Sequence, residues 1–136
     1  DDAVAAVIRN LDSWAYKLSP QEVADKAMAG LPILDTFVAL HSNPGPEHVF
    51  ADEEKGALIG IIDFGDSYIA HPVHDLFRWL EPEDRGAIYT GYTALKPVDE
   101  SWNQAWRVAC IVADIRAISR HPDSAESAYA EIEAIL

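Results

Sequence analysis

Apolar residues recur along this chain with two different periods, and the change of period divides it into regions. Val4, Val7, Ile8, Leu11, Trp14 and Leu18 follow the i, i+3, i+4, i+7 spacing of one helix face, which predicts a helix over 3–18. Ser19-Pro20-Gln21-Glu22 reads as a second helix start: serine caps, proline suits the first helical position and glutamate completes a capping box. Gly30 followed by Leu31-Pro32 reads as its stop. The texture then changes. Residues 36–40 are short, apolar and partly β-branched, as in a buried strand. Residues 48–51 and 57–62 read as two more strands, joined by the polar turn Asp52-Glu53-Glu54-Lys55-Gly56. Residues 41–47 are loop, punctuated by Pro44, Gly45 and Pro46. Helical spacing returns with a short piece over 75–80 and a helix from Glu81-Pro82 to near Leu95. The longest helix is expected over 101–120, with Trp102, Trp106, Ala109, Ala113 and Arg116 on one side. His121-Pro122 breaks it, and Asp123 is expected to cap a last helix ending near Leu136. Helices, a small group of short strands, then helices predict an α+β fold with a dominant helical mass.

Length and composition narrow the class. The 136 residues suit one domain, with enough chain for a core that needs no disulfide staple. With 49% hydrophobic and 24% charged residues, the composition is globular rather than disordered. No apolar run is long enough to span a bilayer, and the Asp1-Asp2-Ala3-Val4 start lacks the features of a signal peptide. Cys110 is the single cysteine, which excludes an internal disulfide and a cysteine zinc site. These features lead us to expect a cytoplasmic protein. A net charge of −13 argues against nucleic acid or an anionic membrane as partner and tolerates a cationic substrate.

Two stretches carry candidate chemistry. His41-Ser42-Asn43-Pro44-Gly45-Pro46-Glu47-His48 is a polar loop directly after one strand. Ile61-Ile62-Asp63-Phe64-Gly65-Asp66 is an acidic tip directly after another. A hairpin between them would bring Asn43, His48, Asp63 and Asp66 into one small volume, a donor set suited to a cation held with phosphate. The pair resembles the core of the aminoglycoside phosphotransferase family, relatives of the protein kinases. That family's catalytic loop reads His-x-Asp, four residues, then Asn; its metal-binding strand ends Ile-Asp-Phe or Ile-Asp-Trp; an Asp-Pro-x-x-Asp-Leu segment follows. This chain has His41-x-Asn43, four residues, His48; then Ile62-Asp63-Phe64-Gly65-Asp66; then His71-Pro72-Val73-His74-Asp75-Leu76. The likeness is strongest over 36–80.

The resemblance implies a kinase-like C-terminal lobe spanning 1–136: helices over 1–35, catalytic loop, hairpin and metal segment over 36–70, and a helical substrate side over 71–136. It implies ATP or GTP with magnesium or manganese, and phosphoryl transfer to the hydroxyl of a small, sometimes cationic molecule. Aminoglycosides, other antibiotics, choline-like and sugar-like alcohols are typical of the family. Asp63 would hold the ion bridging the nucleotide phosphates, and His48 would stand at the second metal position. Asn43 would stand at the position of the catalytic aspartate, His41 would brace the loop, and Asp75 would bond backbone near it. Trp79, Glu81, Glu83, Asp84, Tyr89 and Tyr92 are candidates for substrate choice, most of them expected in the core or on a solvated face. His71 and His74 read as local packing.

Two departures qualify this reading. An amide at position 43 can hydrogen-bond a hydroxyl but cannot serve as a base, a loss that typically costs about 10²–10⁴-fold in rate. Imidazole at position 48 is a poorer magnesium ligand than an oxygen and suits manganese or zinc better. In addition, residues 1–35 contain no glycine-rich loop and no strand lysine of the kind the family's N-terminal lobe uses to clamp nucleotide. A C-terminal lobe alone is therefore expected. Its cleft-facing apolar surface would be exposed, favouring self-association or a partner lobe. The alternative function is a degenerate homologue that binds a ligand or partner without turnover, or a structural piece of a longer protein.

Overall fold

The computed structural model describes residues 14–79, 81–121 and 125–136. Its elements run α1 Pro20–Ala29, β1 Val38–Leu40, β2 Val49–Asp52, β3 Ala57–Ile61, β4 Tyr68–Ala70, α2 Val73–Leu76, α3 Pro82–Leu95, α4 Glu100–Arg120 and α5 Glu126–Ile135. This is an α+β arrangement of mainly helical mass with two small two-stranded sheets.

Local sequence sets the helix ends. The Ser19 side chain accepts from Glu22 N at 3.2 Å and the Glu22 carboxylate accepts from Ser19 N at 2.8 Å, so the capping box forms in full. Asp99 caps α4 by accepting from Trp102 N at 2.9 Å. Pro82 opens α3, where a missing N–H costs nothing.

Helix α4 runs through the body and buries residues on most of its circumference. Ile111, Ile115 and Ile118 pack with Val23 and Ala27 of α1 and with Ala128 and Ile132 of α5. Trp102, Ala105, Trp106 and Ala113 pack with Val73 and Phe77. Tyr92 stacks on Trp102 at 5.2 Å and Trp102 on Trp106 at 5.9 Å, while Tyr89 leans on Trp106 at 5.6 Å. Tyr89 and Tyr92 are thus part of the helix packing, and Tyr89 also lines a cavity of about 300 Å³ with Trp106 and Glu131.

Arg85 is fully buried among α3, α4 and α5. It donates to the carboxylates of Asp114 and Glu131 and, at 3.0 Å, to the Trp79 carbonyl. Burial raises the Asp114 carboxyl to about 8, against the lowering pull of Arg85.

The four strands pair into two separate two-stranded sheets, together the strand platform. β1 pairs antiparallel with β4, Val38 opposite Ala70 and Leu40 opposite Tyr68. β2 and β3 form the expected hairpin, Val49 opposite Ile61 and Asp52 opposite Ala57, with a bulge between Phe50 and Ala51. Its turn is held by Asp52, which accepts from Glu54 N and Lys55 N at 3.1 Å each. Gly56 takes the left-handed φ of +60° that the tight turn requires.

Three expectations are corrected. The helix expected over 3–18 does not include 14–18, which are irregular, and 3–13 lie outside the described residues. Pro20 disfavours helical backbone at Ser19, whose ψ is 157°. The aromatic residues there pack sideways instead: Trp14 and Tyr16 lie against Tyr129 of α5 at 5.6 and 5.9 Å. Strand β4 was not anticipated, because three residues after a polar turn carry no period. The short helix expected over 75–80 is Val73–Leu76. Leu80 and the expected cap Asp123 lie outside the described residues.

Candidate active site

The loop after β1 is held by buried polar bonds rather than by apolar packing. Asp75 in α2 accepts from His41 N and from Ser42 N, each at 2.8 Å, one bond to each carboxylate oxygen. Ser42 takes a left-handed φ of +85°, a costly conformation for a residue with a Cβ, and both bonded residues are buried. The paired carboxylate bonds offset that cost.

The His41 ring ties this loop to the end of β3. Its Nε2–H donates to the Ile62 carbonyl, and its Nδ1 accepts from Asn43 N at 3.3 Å. Those partners fit the neutral tautomer protonated on Nε2. Phe64 closes over the ring edge-on at 4.4 Å. This imidazole and the backbone bond from Ile62 N to the His48 carbonyl at 3.1 Å together fix the spacing of the two chemistry-bearing loops.

His48 closes the first loop on itself. Its Nδ1–H donates to the Asn43 carbonyl at 2.7 Å, and its backbone N–H donates to Gly45 O at 2.9 Å. With Nδ1 committed, Nε2 presents a lone pair, and it lies 3.5 Å from Asp63 Oδ2. Two lone-pair donors that close can share a cation. Asp63 is mostly exposed and holds a left-handed φ of +67°, which turns the chain immediately after β3. Asp66 lies exposed in the following turn, where Ser67 Oγ donates to Phe64 O at 2.7 Å.

Among the described residues, no group of three or more His, Cys, Asp or Glu side chains could hold a metal ion by itself. His48 and Asp63 supply two donors. That suits an ion whose remaining sites are filled by phosphate oxygens and water, and does not suit an ion bound to protein alone.

Asn43 is exposed and lines a cleft of about 510 Å³ on the helical side of the loop, a size typical of small-molecule sites. Glu81 and Asp84 of the sequence candidates line it as well, whereas Trp79 and Glu83 do not. The sequence reading missed Arg78, Arg116 and Arg120 in the same wall. The signal available was the i, i+4 spacing of Arg116 and Arg120 on a predicted helix, which by itself reads as solvated charge. His71 is buried against Trp102, and burial, with a smaller contribution from His74, lowers its pKa. It lines neither the Asn43 cleft nor the His48–Asp63 pair.

Comparison with known proteins bears on the same residues. No curated protein and no solved structure matches the chain. The family model of the phosphotransferase enzyme family matches residues 3–125, a span that contains the whole loop, hairpin and acidic tip and most of the helical body. The chain belongs to the phosphotransferase enzyme family.

Proposed function

We propose that this chain is a kinase-like C-terminal lobe that binds a nucleoside triphosphate with magnesium or manganese and transfers its terminal phosphoryl group to a small-molecule hydroxyl. The observation that carries this reading is the chain of contacts Asn43 carbonyl, His48 ring, Asp63 carboxylate. His48 Nε2 and Asp63 would hold the cation, which when bound neutralises charge on the phosphates. Phosphoryl transfer needs mainly positioning and electrostatic help from a protein. The rigid link from Asp75 through His41 to Ile62 supplies positioning.

Asn43 carries the acceptor's role. Its carboxamide oxygen can accept from the acceptor hydroxyl and orient it, but cannot keep the proton. The acceptor oxygen forms the new P–O bond as the bridging P–O bond to the nucleoside diphosphate breaks. The released proton passes to water or to a phosphoryl oxygen. Turnover is accordingly slow, with about 10²–10⁴-fold to be regained by a carboxylate.

The strand platform is where we place contact with a nucleotide-clamping lobe or a second copy. None of the described strands contains a lysine. Phe50, Leu58, Ile59, Ile62 and Ile69 are exposed there. No helix among the described residues is long and apolar enough to cross a membrane.

The test is melting temperature with ATP or GTP, each with magnesium and with manganese, for the native chain and Asp63→Ala. A metal-dependent rise that disappears in Asp63→Ala is expected. No rise in any condition would sink the nucleotide assignment. Asn43 also favours a second reading, a ligand-binding homologue without turnover. Asn43→Asp separates the two: added phosphoryl transfer supports the enzyme, while nucleotide binding with turnover still at background supports the binding module.

A further inference from the structure

Helix α2 is only four residues long, yet it carries Asp75, whose carboxylate holds the backbone of His41 and Ser42. A helix of that length is far below what sustains itself in water, so its position depends on what anchors it. Pro72 precedes α2, and its side chain offers no acceptor to the helix start. The acceptor comes from one residue earlier. His71 Nδ1 accepts from Val73 N, the first N–H of α2, at 3.4 Å. The His71 carbonyl accepts from His74 N at 3.0 Å, and the Pro72 carbonyl accepts from Asp75 N at 3.1 Å, which draws Asp75 into the same turn. His71 and Val73 are 5% and 4% exposed, so little water is at hand to replace the imidazole.

An imidazole performs this task only while neutral. Accepting at Nδ1 requires the tautomer protonated on Nε2. A second proton turns Nδ1 into a donor, and two donors then face each other across the start of α2. The surroundings act on that proton from every side. Burial is the main cause of the lowered His71 pKa, and His74 within α2 adds to it. Asp35, between α1 and β1, and Asp99, the cap of α4, favour the charged ring, while Lys96 at the end of α3 opposes it. On the α4 side the Trp102 ring lies 6.3 Å away and brings no charge. The balance keeps the ring neutral at pH 7, and the bond to Val73 N is made.

We propose that His71 is a positioning residue: its neutral imidazole holds the start of α2, α2 holds Asp75, and Asp75 holds the loop that carries Asn43 and His48. Protonation of one buried ring then loosens a loop that it does not touch. The use to which the loop is put rests on the phosphotransfer reading, but the coupling from His71 to His41 and Ser42 does not. The sign follows from the lowered pKa. The closed form binds the proton less readily than the open one, so the loop stays closed above the ordinary imidazole value of about 6.5. It loosens as pH falls below that value and through the lower value of the folded ring.

The test is an NMR titration of the full chain from about pH 8 to about pH 5, across the imidazole range, without nucleotide or metal. The ring signals of His71 give its midpoint, and the amides of Val73, His41 and Ser42 report the helix start and the loop. Once the ring is charged, those three amides should exchange about fivefold faster or more after correction for the intrinsic rate, the scale of a lost helix cap. Amides in the middle of α4 should not follow. His71→Asn keeps a side-chain acceptor that does not titrate, so its loop should hold at low pH. His71→Phe keeps a ring against Trp102 without an acceptor, so its loop should exchange fast throughout. The proposal is overturned if His41 and Ser42 stay unmoved while His71 titrates, or if His71→Phe keeps slow exchange. Equal loosening in His71→Asn also overturns it, because His41 or His74 would then be the titrating group. Where circular dichroism shows a variant unfolded, the native titration decides: loop amides that follow the His41 or His74 ring instead of His71 sink the idea. A chain that shows the coupling but no metal–nucleotide stabilisation keeps the His71 assignment and loses only the phosphotransfer reading.

Discussion

The helical body and the strand platform hold their shapes by different means. More than half of the 21 residues of α4 are buried, whereas β2 and β3 contain no buried residue at all. The platform still places Asn43, His48 and Asp63 closely. It does so through Asp75, which clamps two backbone N–H groups, and His41, which bridges two loops. Stability therefore resides mainly in the body, and site geometry in a handful of polar bonds reaching out from it. A variant can damage one while sparing the other.

The largest expected effect breaks the body. Arg85→Ala leaves Asp114 and Glu131 buried or half-buried around a missing cation. Breaking such a pair from one side costs about 3–5 kcal/mol. Urea unfolding should show that loss in full. The triple replacement Arg85→Met, Asp114→Leu and Glu131→Leu should come closer to native stability, because apolar packing substitutes well for a buried ionic cluster only when every member is replaced. If the single variant loses less than about 1 kcal/mol, the body does not depend on this cluster.

What the sequence made legible follows the same division. The capping box at Ser19 and Glu22 was readable because both partners lie within four residues. So was the β2–β3 hairpin, because a five-residue polar turn between two apolar runs leaves little alternative. The sequential order of loop, hairpin and acidic tip was readable for the same reason. By contrast, the Arg78–Phe77–Arg116 wall joins the segment after α2 to the C-terminal part of α4, and nothing local marks that pairing. The short stretch 14–18 misled because Trp14 and Leu18 have helical spacing, yet the Trp14 Nε1–H donates to the Leu18 carbonyl at 2.7 Å in an irregular turn. Apolar spacing records which residues are covered, and here α5 does the covering.

The next effect acts on the platform. Asp75→Ala removes both bonds that hold Ser42 in its left-handed conformation. Each buried N–H left without a partner costs about 1–3 kcal/mol where water cannot replace it. Hydrogen exchange at His41 and Ser42 should accelerate strongly, while amides in the middle of α4 keep most of their protection. Equal acceleration in both regions would mean that platform and body unfold as one unit.

A smaller, graded effect comes from pH. The Asp114 carboxyl is raised to about 8 by burial, whereas in the unfolded chain it titrates near the usual ~4. Between those values the folded state binds the proton and the unfolded state does not. Stability from this group is therefore full below the unfolded value and falls as pH rises through the window. The slope is at most about 1.4 kcal/mol per pH unit. Asp114→Asn should flatten the fall seen between pH 5 and pH 8. A native curve with no such fall would place the carboxylate ionised beside Arg85 throughout.

The smallest effect on stability sharpens the comparison most. Leu58 and Ile59 are 63% and 71% exposed on β3, side by side in a strand that buries nothing. Changing both to serine removes little packing, and surface substitutions of this kind shift unfolding by no more than about 0.5 kcal/mol each. The same change removes one exposed apolar group from each face of a hairpin that also exposes Phe50 and Ile62. Sedimentation should therefore show less self-association in the double variant at equal melting temperature. A fall in melting temperature together with the loss of association would mean that the platform is stabilised by its own partner surface. In that case the polar clamps at Asp75 and His41 would hold the site only when that surface is covered.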